Sequence, residues 1–195
     1  MTPRPDVPRG RRWTVDELST LSDDLRYELI DGELVLLAPL PVQSELVLSV
    51  TNAIGARCPD KCLAVHYLPL AVDQHSQLRP DAVVIRLDHV NESPVPVRDA
   101  VLVADVMPPV CHFHYCYAKA TIYAAAGVPE YWIIDPWYDQ RMVLTRLILG
   151  PGGSYEIAES TDAVFHTDSP FPVTIDLPQL RKRRESLWKH ARQAA

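Results

Sequence analysis

The chain has 195 residues, 47% of them hydrophobic and 23% charged, a length and composition suited to one globular domain with a sizeable core. Its formal net charge of -6 and pI of about 5.6 create a field that repels nucleic acid, so a polyanion would need a local basic patch. No apolar run is long enough to cross a bilayer, no apolar stretch follows the basic N-terminal residues, and four unevenly placed cysteines make no secreted disulfide framework; a reduced, cytoplasmic protein is expected.

In chain order, residues 1–12 read as a basic arm containing Arg9, Arg11 and Arg12. Thr14-Val15-Asp16-Glu17 has the form of a capping box and predicts a short helix through about Leu21. In YELIDGELVLL, Asp31-Gly32 supplies the positive φ angles of a type I′ turn, which pairs Ile30 with Glu33 and Glu28 with Val35 and puts both glutamates on one face of a ribbon. From Pro41 to Arg57 the spacing of Leu46, Val47, Val50 and Ile54 predicts an amphipathic helix packed on a sheet. Strand-like runs follow at Leu63 to Val72, Asp81 to Arg86 and Ala100 to Met107. A helix from Tyr115 to Ala126 is closed by Gly127, with Pro129 beyond it, and the strand EYWIID comes next. RMVLTRLIL and SYEIAES, joined by a Gly-Pro-Gly-Gly turn, predict an edge hairpin, and a terminal helix runs from about Pro178. The core spans about 13–160 and the last helix about 178–195, within a single domain, residues 1–195.

Carboxylates offer the clearest chemistry. Asp81 shares a strand face with Val83 and Ile85, and Asp105 shares one with Val101 and Val103. An antiparallel pairing centred on Ser93 puts Asp81 opposite Asp105 and Ile85 opposite Val101. Two acids side by side at a sheet end repel one another, and a divalent cation relieves that repulsion; hard oxygen ligands suit Mg²⁺ or Mn²⁺. On the residues alone, the alternative is that Asp81 turns the chain after Pro80 and Asp105 is a half-exposed strand end. Lys119 is one of only four lysines, against fifteen arginines, a choice that suits chemistry needing an amine.

YELIDGELV, RPDAVVIR, VLVADVM and a K-x-x-x-Y spacing before AAAGVPEYWIIDP resemble the Uma-two family of endonucleases, within the PD-(D/E)XK restriction-endonuclease-like superfamily, from about Trp13 to Gly153. The resemblance implies an α/β fold with a PD-(D/E)XK restriction-endonuclease-like core, a mixed central β-sheet flanked by helices, an N-terminal hairpin, and a C-terminal edge hairpin plus helix. It implies Asp81 and Asp105 as metal ligands, with Lys119 and Glu33 completing the catalytic set; Lys119 would activate water or neutralise charge, and Glu33 is preferred to Glu28 for orienting water or metal. The implied cofactor is Mg²⁺ (or Mn²⁺), the implied substrate DNA, and the implied assembly a homodimer. In the superfamily the lysine more often lies two residues after the second acid, where this chain has Met107, and the family's second acid is usually glutamate rather than Asp105.

A second reading stays open. Pro108 to Tyr115 puts apolar and aromatic residues where the family carries polar and basic ones, as expected of a nuclease-like fold that has lost catalysis and serves as a nucleic-acid-binding or protein-interaction module. Cys111, His112, His114 and Cys116 form a compact group of soft ligands, with Cys58 and Cys62 elsewhere, but the spacing departs from zinc-ribbon patterns. Tyr117, Ile122 and Tyr123 read as core packing, Trp132 to Ile134 as core strand, Leu187 and Trp188 as docking the last helix, and Arg181 to Arg184 as solvated surface or a basic patch.

Overall fold

A computed structural model describes residues 11–21, 26–108 and 113–193. The elements in order are α1 (Val15–Leu18), β1 (Tyr27–Ile30), β2 (Glu33–Leu36), α2 (Pro41–Gly55), β3 (Cys62–His66), β4 (Leu70–Asp73), β5 (Ser76–Leu78), β6 (Ala82–Arg86), β7 (Val95–Pro96), β8 (Ala100–Val106), α3 (Phe113–Ala125), β9 (Glu130–Asp135), β10 (Val143–Leu149), β11 (Tyr155–Thr161), β12 (Val164–Thr167), β13 (Val173–Asp176) and α4 (Leu177–Gln193). The architecture is mixed α/β: a six-stranded sheet in the order β11-β10-β9-β8-β6-β3, a five-stranded sheet β2-β1-β5-β4-β7, and a hairpin β12-β13. Within the six-stranded sheet β8 and β9 run parallel and the other neighbours antiparallel.

Period-two alternation sorts the six-stranded sheet into two buried faces. Ala82 and Val84 of β6, Leu102, Ala104 and Val106 of β8, and Trp132 and Ile134 of β9 face the apolar stripe of α2 and the β12-β13 hairpin. Val83, Ile85, Val103 and Tyr131 point the other way, toward Tyr123 of α3 and the smaller sheet. Each fully buried Val, Leu or Ile in these layers contributes roughly 1.5–3 kcal/mol. Helix α3 stops at Gly127, whose φ of +78° lets Gly127 N–H reach the Ala124 carbonyl and Val128 N–H the Tyr123 carbonyl.

Several expectations are corrected. The run from Leu63 to Val72 is two strands in different sheets, because Tyr67 takes a left-handed φ of +55° and Pro69 offers no amide hydrogen to continue a ladder. The pairing centred on Ser93 holds from Ala82↔Ala104 to Val84↔Leu102, after which a bulge sets Ile85 opposite Ala100 rather than Val101. Val101 consequently packs with the α2 layer. The hairpin β12-β13 and the short strands β5 and β7 have no counterpart in the sequence-based reading. Tyr117 is 71% exposed, not core, while Tyr123 is fully buried. Arg184 is buried, its guanidinium 5.2 Å from the Trp137 ring, which Trp188 meets edge-on. Cys58 and Cys62 are free thiols against the core; Cys111 and His112 and the side chains of His114 and Cys116 lie outside the described residues. No helix among the described residues is long and apolar enough to cross a membrane.

Candidate functional site

The register of β6 and β8 carries Asp81 and Asp105 to the same end and face of the sheet. Backbone and side chain interlock there. The Asp81 N–H donates to Asp105 Oδ1 (3.1 Å), and the Val106 N–H donates to Asp81 Oδ2 (2.8 Å). The parallel neighbour β9 sets Ile133 beside Asp105, and Tyr131, on the same face, donates its hydroxyl to Asp105 Oδ2 at 2.8 Å. Beneath them, Gln43 of α2 donates to the Val106 carbonyl at 3.0 Å, fixing the strand end that bears the acids.

Lys119 projects from α3 into this face. Its ammonium donates to Asp105 Oδ1 (2.8 Å) and Glu28 Oε1 (3.0 Å) and lies 2.8 Å from Asp105 Oδ2. Glu28 Oε1 also accepts the Arg79 N–H (2.6 Å), while Glu28 Oε2 is buried without a hydrogen-bond partner among the described residues. Glu28 is 1% exposed, Lys119 2% and Asp105 7%, and Asp81 is the least covered of the four.

Three carboxyl groups share one ammonium, and the balance of charge follows from burial. Burial, reinforced by the neighbouring Asp105 charge, pushes the Asp81 carboxyl up to about 8. Burial also raises Glu28, opposed by the Lys119 charge. For Lys119 burial would favour the neutral amine, but Asp105 and Glu28 outweigh it and hold the group well above its ordinary range, firmly protonated.

The structure therefore brings Asp81, Asp105 and Lys119 together and leaves Glu33 outside. Glu33 sits at the hairpin tip, exposed, opposite Ile30, and Glu28, two residues deeper along the ribbon, occupies the cluster instead. Sequence reasoning reaches the correct ribbon register but favours the other end of it. It also misses Tyr131 and Gln43; a tyrosine preceding Trp132, two residues from the β9 neighbour of Asp105, is the available signal.

Among the described residues no three side chains of His, Cys, Asp or Glu are disposed together as a metal cage. The donor chemistry nonetheless fits a hard divalent cation: two carboxyl groups stand on adjacent strands, and a bound cation would oppose the burial and the Asp105 charge that together push Asp81 up. Mg²⁺ commonly takes only one or two protein carboxylates and keeps water and phosphate as its other ligands.

A family model described as "Uma2: Putative restriction endonuclease" matches residues 15–178. The crystal structure of "a putative nuclease belonging to DUF820 from Anabaena variabilis ATCC 29413" is similar with a TM-score of 0.66 at 17% identity, covering 88% of this chain and 98% of that one. At such identity the likeness concerns the fold. No curated protein matches this chain.

Proposed function

This chain belongs to the Uma2 family, and from that membership and the buried acid cluster we propose that it is a divalent-metal-dependent endonuclease hydrolysing phosphodiester bonds in DNA. The observation that carries the reading is the convergence of Asp81, Asp105 and the Lys119 ammonium at one sheet end, with Asp81 the least covered of them. Asp81 and Asp105 would hold Mg²⁺ or Mn²⁺. When bound, such an ion supplies Lewis-acid polarisation of a phosphate and acidification of water.

The chain's own groups have separable tasks. Lys119 stays protonated, so it serves as a fixed positive charge that offsets the acids and a developing phosphorane charge, not as a base. Tyr131 and the Asp81 N–H orient Asp105, and Gln43 and the Val106 N–H keep Asp81 in step with it. Cutting both strands of a duplex calls for two such sites, which makes a homodimer the natural active form.

Supercoiled plasmid incubated with Mg²⁺ or Mn²⁺ tests the reading. Wild type nicks it, and Asp81→Ala and Lys119→Ala lose at least about 100-fold, in line with the cost of removing catalytic groups. Equal activity in all three proteins, or activity undiminished by EDTA, overturns it. A second reading, a binding module without catalysis, is favoured by one observation: both Asp105 oxygens are already engaged by Lys119, with Tyr131 and the Asp81 N–H as further donors. DNA binding with no nicking under any divalent ion selects that reading.

A further inference from the structure

Beside the backbone of Asp81 lies Tyr67, where two guanidinium groups converge that, among the described residues, form no ion pair with the acid cluster. The Tyr67 N–H donates to the Asp81 carbonyl (3.2 Å), so Tyr67 is anchored directly to the site. The Arg26 guanidinium lies over the Tyr67 ring, 5.4 Å from its centroid, and Arg79 donates from Nη1 to the Tyr67 carbonyl at 3.1 Å. Arg26 is exposed and Arg79 half-buried.

Three features set this group apart. Among the described residues, neither Arg26 nor Arg79 is within ion-pair distance of a carboxylate, a property they share with Arg57, Arg86 and Arg98, but only Arg26 and Arg79 converge on Tyr67. The buried Arg79 Nε makes no hydrogen bond among the described residues, and the Tyr67 hydroxyl, also buried, has Ser44 as its polar neighbour. Tyr67 holds a left-handed backbone conformation, uncommon for an aromatic residue, and such conformations gather at functional sites. Two guanidinium groups that meet at one residue, Tyr67, with unused donors between them, are what an anion would stabilise; the planar fork of arginine matches phosphate oxygens.

We propose that Arg26, Arg79 and Tyr67 form a phosphate subsite beside Asp81 that grips a phosphodiester adjacent to the one hydrolysed. The inference rests on the nuclease reading and names which residues hold the strand. It also resolves a difficulty of charge: a chain with net charge -6 needs a local cationic patch to hold a polyanion, and this one adjoins the acids.

Fluorescence anisotropy with a fluorescein-labelled oligonucleotide duplex, titrated across a salt series in Ca²⁺ and again in EDTA, tests it. The Arg26 side chain is exposed and makes no hydrogen bond among the described residues. Arg26→Ala weakens binding about 5- to 10-fold and lowers the slope of log affinity against log salt by about one, as the removal of one phosphate-neutralising charge requires. Tyr67→Phe weakens binding without changing that slope, and Arg57→Ala, an exposed arginine just beyond α2, changes neither. If wild type binds and nicks while Arg26→Ala and Tyr67→Phe match it, the subsite is wrong and the nuclease reading stands. If wild type shows no salt-dependent binding in either buffer, the subsite and the DNA reading fall together.

Discussion

Replacing Lys119 by methionine keeps the length and bulk of the side chain and removes one buried charge. In the wild type that charge lies 3.0 Å from Glu28 Oε1 and 2.8 Å from Asp105, with all three residues nearly sealed from water. Breaking a buried ion pair by deleting one member costs about 3–5 kcal/mol, and here two carboxylates lose their partner at once, so the upper end of that range applies. Against a total stability of roughly 5–15 kcal/mol, the variant stays folded but marginal at neutral pH. The loss depends on pH with a definite sign. Burial already raises Glu28 and the Lys119 charge opposes it, so without the amine its carboxyl rises further. A group whose folded value lies above its unfolded one loses its stabilising contribution as pH rises, so the Lys119→Met deficit is larger at pH 8 than at pH 5. Urea denaturation at the two pH values measures it, and the double variant Glu28→Gln, Lys119→Met recovers about 1–2 kcal/mol by removing one stranded charge. A deficit under about 1 kcal/mol, or one identical at both pH values, refutes the picture of a sealed charge network.

Three further outcomes follow from the same geometry. Because the folded Asp81 carboxyl titrates near 8 and its ordinary value is 3.8, wild-type stability declines across that window as pH rises, by at most about 1.4 kcal/mol per unit, and Asp81→Asn flattens the decline in a thermal-melt series. Millimolar Mg²⁺ or Mn²⁺ raises the melting temperature of wild type at pH 8 and leaves that of Asp81→Asn unchanged; equal shifts in both proteins would remove Asp81 from the cation site. Gly127→Ala costs about 1–2 kcal/mol in chemical denaturation, solely through its left-handed backbone, since a Cβ there meets no atom within 4 Å.

What can be read from residues alone is what local chemistry determines. Asp31-Gly32 demands a two-residue turn, which sets Glu28 opposite Val35, and Gly127 ends α3 because positive φ favours glycine. The alternation of β6 and β8 likewise suffices to bring two distant acids to one sheet end. The choice between Glu28 and Glu33 is not local: both lie on one ribbon face, and only the packing of α3 and β5 against that ribbon decides which is buried. Tyr67 defeats the strand assignment because its backbone turn comes from tertiary anchoring to Asp81, not from glycine or asparagine. The hairpin β12-β13 is stabilised by Phe165 and Phe171 in the layer of Trp132, a partnership invisible along the chain.

The bulge after Val84 confers a mechanical independence. Its extra residue, Val101, lies on the loop side of the paired acids, and the β7–β4 pairing lies between Pro94 and β8, so a displacement between Leu87 and Pro94 meets both before it meets Ala82↔Ala104. Asn91 and Glu92, exposed at the crest of that connection, are therefore a natural tether point: a peptide spliced between them would hang from the molecule while Asp81 and Asp105 kept their alignment.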